Sequence, residues 1–229
     1  MNTYDEWNRE PEPEWAVQEP GTPSQEATQE LVQSMVQQQV LQVDFAALVP
    51  PDIQGWFAHW EPMLKMIEAN RFTRCVEVGT WLGKSAIAVA RLIALWGGTL
   101  VCVDHWRGSA SFPEELRPKI PASYTTFLKY LRRYKIKNVT TIREASPAAA
   151  RHVSDGSVDF IYLDASHDGD SVRADLDAWW PKLRSGGIIA GDDYGDERFW
   201  GLMEAWDARD GVMHEHGPQQ PGLVWIQKV

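Results

Sequence analysis

The chain has 229 residues, 44% of them hydrophobic and 24% charged, which fits one globular domain with appendages. Its formal net charge is −10, of which residues 1–30 hold −7, and the remaining −3 gives the body no electrostatic footprint for nucleic acid. No apolar run reaches membrane-spanning length, and the acidic N-terminus lacks the basic start and apolar core of a signal peptide, so a cytoplasmic location with no membrane partner is expected.

Residues 1–25 are rich in proline, glutamate and glutamine and have no apolar periodicity, so they read as a disordered acidic tail. Residues 26–70 read as a helical leader. From Glu26 to Leu48 the apolar positions Leu31, Met35, Val36, Val40, Leu41 and Val43 mark one helix face. Pro50-Pro51 ends that helix, and Asp52 is the expected N-cap of a second, running to about Asn70 and distorted at Pro62. Such a leader either packs on a sheet or acts as a lid or a homo-oligomer contact.

Residues 71–229 form the expected main domain. Thr73–Val78 is an apolar, β-branched strand that runs into Gly79-Thr80-Trp81-Leu82-Gly83-Lys84-Ser85 and then a helix. Gly79 permits a turn that a Cβ would obstruct, and Gly83 permits close approach to a ligand. The free N–H groups of the helix then point at whatever lies over the strand end. The spacing is neither the phosphate-binding loop nor the full dinucleotide fingerprint, which disfavours a dehydrogenase. A second apolar strand, Thr99–Val103, ends on Asp104, placed to grip a ribose diol.

Glu77-Val78-Gly79-Thr80 with Gly83, followed by Val101-Cys102-Val103-Asp104, resembles the first two motifs of class I S-adenosylmethionine-dependent methyltransferases. The resemblance implies a Rossmann-like α/β fold, a mostly parallel seven-stranded sheet with helices on both faces. It also implies a cofactor site built from Glu77, Gly79, Thr80, Gly83, Ser85, Asp104 and Trp106.

The irregular stretch His105–Pro121 leaves the Asp104 strand tip and should border the substrate, because a loop this long is usually functional. Tyr124–Tyr134 reads as a helix with a basic end. Val139–Arg143 is a third strand, leading to Ala145-Ser146, where the resembled family places contacts to adenine. Ser157–Leu163 is a fourth strand ending on Asp164-Ala165-Ser166-His167-Asp168, followed by a helix over Ser171–Trp180. Gly187–Ala190 is a fifth, ending on Gly191-Asp192-Asp193-Tyr194. A helix over Glu197–Arg209 and a hairpin of Val212–His216 with Leu223–Gln227 close the chain. Cys75 and Cys102 fall inside strands and read as reduced packing residues.

Acids at three strand tips should converge on one crevice, where carboxylates without a counterion repel. Asp104 can be satisfied by a ribose, whereas Asp164, Asp192 and Asp193 form an oxygen set suited to Mg²⁺. The segments around Asp164 and Asp192-Asp193 resemble the metal-dependent small-molecule O-methyltransferases, both the catechol-type and the macrolide- and aminocoumarin-sugar enzymes. That resemblance implies catalytic roles for Asp164 and His167, although catechol-type enzymes carry a lysine where this chain has His167. The plainer alternatives are turn-capping for Asp192 and a loop tie for His167. The expected function is O-methylation of a small-molecule acceptor. The rivals are a metal-free transferase to nitrogen or another acceptor, and a cofactor-binding interaction module.

Overall fold

The computed structural model describes residues 43–109, 112–215 and 222–229, with the side chains of His214 and Glu215 left aside. The expectations for residues 1–42, including the acidic tail and the first leader helix, lie outside the described residues. Asp44–Val229 form one compact unit.

The sheet is built on two parallel central strands, β1 (Arg74–Val78) and β4 (Val158–Leu163). Every residue of β4 is buried, as expected of a strand covered on both faces. On one side β1 pairs with β2 (Thr99–Val103), which pairs with β3 (Val139–Ile142). On the other, β4 pairs with β5 (Leu183–Tyr194), and β7 (Gly222–Gln227) lies antiparallel between β5 and β6 (Met213–Glu215). The seven strands run β3-β2-β1-β4-β5-β7-β6.

Strand alternation divides the core into two layers. Val76, Val78, Ile161 and Leu163 face helices α6 (Gly169–Trp179) and α7 (Trp200–Asp207), against Leu176, Trp179, Leu202 and Trp206. The opposite face carries Glu77, which bonds to α3 (Lys84–Ala94), and Phe160, which stacks on Phe72 just beyond α2 (Trp60–Ala69). Helix α4 (Ile120–Arg133) begins four residues before the expected Tyr124, because a 3-10 turn over Glu114–Lys119 leads directly into it. Between β3 and β4 lies the short helix α5 (Ser146–Ala149).

The N-terminal part departs most from expectation. A four-residue helix α1 (Phe45–Leu48) is capped by Asp44 and held to α3 by Arg91 Nη1 donating to the Leu48 carbonyl at 2.9 Å. The next helix begins at Trp60 rather than after Asp52, and Pro62 falls in its first turn, where no backbone bond is lost. Asp52 is spent elsewhere, on Arg133 and Tyr134 of the α4 end. At the other end of the strands, Asp159 accepts from the Thr73 and Arg74 amides and from Arg184, tying β4 to β1 and β5. Its partners are complete, so it is an acid of the scaffold.

Candidate active site

The tips of β1 and β4 nearly touch. A Cβ on Gly79 (φ +95°) would sit 1.8 Å from the Asp164 carbonyl oxygen, so glycine is required there by backbone contact. Gly83 (φ +83°) is the N-cap position of α3, and a Cβ there would strike the Phe127 ring at 2.4 Å. Its missing side chain makes room for the protein's own helix α4, and the residue also lines a cavity over the strand ends.

Asp104 organises the loops that leave β1 and β2. Its two carboxylate oxygens accept from the Trp81 amide at 2.9 Å and the Trp106 amide at 2.5 Å. Both tryptophans have left-handed backbones, φ 49° and 54°, a conformation that costs energy and persists because such bonds hold it. Trp106 is 3% exposed, packs against Tyr124 and Phe127, and donates its indole N–H to the Trp81 carbonyl at 2.8 Å. It shapes the cavity wall mainly by holding Trp81.

A cavity of about 480 Å³ opens over these tips, lined among others by Gly79, Trp81, Asp104, Trp106, Ala145, Ser146 and Asp164. His105, Gly108, Ser109 and Phe112 also border it, so the irregular loop does flank the site. A smaller cavity of about 110 Å³ adjoins it, reached by Thr80, Gly83, Lys84, Ser85, Phe112, Asp164 and His167, with Gln54 and Trp56 from the segment before α2. Glu77 is absent from both walls. It lies 2% exposed beneath the turn and accepts from Ser85 Oγ. Burial pushes its carboxyl up to about 8 against that bond. Glu77 thus braces β1 against α3, a correction to its expected place among the cofactor contacts.

The acids beyond β4 and β5 separate into two groups. Asp164, His167 and Asp193 offer ligand atoms that all lie within 4.8 Å of one another. His167 Nε2 is 2.8 Å from Asp193 Oδ2 and 3.9 Å from Asp164 Oδ1, yet this buried nitrogen has no hydrogen bond. Its ring stacks on Phe199 at 4.4 Å, which fixes the imidazole plane. Asp193 has φ +60°, turning its side chain away from the strand and toward His167. Burial, then repulsion from Asp192 and Asp193, holds the Asp164 carboxyl well above the usual range.

Asp192 stands apart from the expected metal set. It is 7% exposed and takes Tyr162 Oη–H at 2.9 Å, the Asp193 amide at 2.9 Å and His59 Nδ1 at 3.0 Å. Burial opposes its ionisation, but these bonds outweigh it and hold its carboxyl below the usual range. Among the described residues, the side chains that could hold a small divalent cation here are therefore Asp164, His167 and Asp193, with the imidazole replacing the third carboxylate. An orphaned buried nitrogen between two carboxylates fits such an ion. The mixed donor set admits Mn²⁺ as well as the Mg²⁺ that an all-oxygen set favours.

In an open α/β sheet, a turn-and-acid cradle at the strand ends, here beside an acid and imidazole cluster, is the place where a ligand binds. The chain belongs to the methyltransferase-domain family, which it matches over residues 76–194. This domain is of the class I S-adenosylmethionine-dependent methyltransferase type. Among curated proteins it is similar to the uncharacterized protein y4gI of Sinorhizobium fredii, with 24% identity over 175 residues. That match takes in 71% of this chain but only 18% of the relative. Among solved structures it is similar to cofactor-bound Rv0187 from MTB (TM-score 0.57, 16% identity, 86% of this chain and 97% of that one). It is similar also to SMU.1697c of Streptococcus mutans in complex with SAH (0.57, 14%, 76% and 100%). A third is the O-methyltransferase NovP (0.54, 15%, 72% and 76%). No helix among the described residues is long and apolar enough to cross a membrane.

Proposed function

We propose that this chain methylates a hydroxyl oxygen of a small molecule, such as a sugar, a phenol or another natural product. It does so with a divalent cation, Mg²⁺ or Mn²⁺, held by Asp164, His167 and Asp193. The observation that carries this reading is that Asp164 lines both cavities, the larger over the cofactor cradle and the smaller beside His167. A donor in one and an acceptor in the other would meet at that carboxylate.

When bound, S-adenosylmethionine supplies a methyl already activated on a sulfonium, and the cation supplies Lewis acidity that lowers the pKa of an acceptor hydroxyl. The chain's residues position and deprotonate. Asp104 has lone pairs left beside its two amide bonds for the ribose hydroxyls, and Ala145 and Ser146 border the base. Gly79, which lines both cavities, would meet the methionine end of the cofactor. With the ion bound, the oxygen of Asp164 left free would take the hydroxyl proton, and His167 would serve as base only where no ion occupies its Nε2. The smaller cavity admits one ring of the acceptor, between Trp56, Trp81 and Phe112. Fixing donor and acceptor in line accounts for much of the rate.

The test is thermal denaturation with cofactor, with and without millimolar Mg²⁺ or Mn²⁺, alongside turnover of hydroxylated acceptors. Wild type should gain stability with the ion, and His167→Ala and Asp193→Asn should lose that gain while still binding cofactor. The 2.8 Å approach of His167 to Asp193 also suits a metal-free base steered by a carboxylate. Turnover that survives a chelator, with no thermal shift from either ion, would establish that second reading instead.

A further inference from the structure

The larger cavity contains one buried acid, Asp175, that has no task in this scheme. Asp175 is 5% exposed and shares the inner face of α6 with Asp170, Ser171 and Ala174, all of which line that cavity. Ser146, on the facing α5 turn, takes the Trp179 indole N–H on its hydroxyl at 3.0 Å and offers its own proton to Asp175. Burial is the main influence on the Asp175 carboxyl, pushing it up to about 6 against the Ser146 bond, and Asp168 raises it further. None of these neighbours is a cation. A carboxyl buried on those terms is costly to the fold, and a small apolar residue would fill the position more cheaply.

The orientation of the cofactor follows from the chemistry around it. The sulfonium must point to the smaller cavity and His167, and the ribose to Asp104. The base, on the far side of the ribose from the sulfur, then lies against Glu144–Pro147 and the inner face of α6. Resting on that cofactor reading, we infer that Asp175 reads the base, with a carboxyl oxygen accepting from the 6-amino group of adenine. A base with a carbonyl at that position would set two acceptors against each other in a closed space, leaving both unpaired.

The experiment is calorimetric titration of the full chain with S-adenosylhomocysteine and with its inosine counterpart, which differs at that edge of the base. Wild type should bind the adenine compound about thirtyfold more tightly. Asp175→Asn keeps the volume and can turn an amide N–H₂ toward a carbonyl, so its two affinities should come within about threefold. An Asp175 that only supports the fold would weaken both compounds alike and leave the ratio intact, which overturns the inference. Equal affinities in wild type overturn it too, without recourse to any variant. If wild type binds neither compound, the cofactor reading itself falls and takes this inference with it.

Discussion

His59 Nδ1 lies 3.0 Å from Asp192 Oδ1, a bond between the N-cap position of α2 and the tip of β5, 133 residues apart. The same Asp192 oxygen accepts the Asp193 amide, so the bond bears on the left-handed turn that aims Asp193 at His167. The segment before β1 is in this way coupled to the cluster proposed to hold the cation.

His59→Ala should lower turnover about ten- to a hundredfold, the usual effect of losing a residue that orients a metal ligand. Affinity for S-adenosylhomocysteine should stay within about threefold, since the cofactor cradle lies elsewhere. Stability should fall by about 1–3 kcal/mol, because Asp192 keeps its burial but loses a partner. Steady-state kinetics together with calorimetry check this. A cofactor affinity that falls in step with turnover would show that His59 supports the whole fold.

Asp104→Ala should weaken cofactor binding by about 2–4 kcal/mol. The loss has two sources, the missing ribose partner and the release of the Trp81 and Trp106 amides from their shared acceptor. Unchanged affinity in a folded variant, measured by titration, would remove the ribose assignment.

Gly79→Ala should cost more than about 3 kcal/mol, since the Cβ meets Asp164 backbone that cannot yield without parting β1 from β4. Gly156, at φ +63° with open space around it, provides the control. Alanine there should cost about 1–2 kcal/mol, the price of a left-handed residue alone. Denaturant unfolding of both variants separates contact from conformation, and equal losses would refute the contact argument.

Glu77→Gln should stabilise the protein increasingly with pH. Burial raises the Glu77 carboxyl from its ordinary 4.5 to about 8, so the folded state keeps a proton that the unfolded chain releases. The stability from this group is full below 4.5 and falls as pH rises toward 8. Glutamine keeps an acceptor for Ser85 and does not titrate. The variant's advantage should therefore grow by about 1.4 kcal/mol per pH unit across that window and level off outside it. Unfolding at pH 5, 6.5 and 8 reads the slope, and an advantage that shrinks with pH would contradict the burial of a neutral Glu77.

Much of this protein was decided locally along the chain. The apolar run of β1, the glycine turn and the helix formers of α3 each favour their element, and a turn between strand and helix leaves a ligand few other places. Asp104 and Asp164 were legible because acids at strand tips stand out from apolar runs. The tertiary structure decided what those acids touch. Glu77 looked like a cofactor contact until its neighbour Ser85 claimed it beneath the turn. Asp192 and Asp193 are adjacent in sequence, yet strand alternation and one left-handed residue send them to different partners, His59 and His167. His59 and Asp175 carried no local signal, because an isolated histidine or a helical aspartate acquires meaning only from distant residues. Local periodicity determines which elements form, and which side chains meet across them is set by packing between segments far apart in the chain.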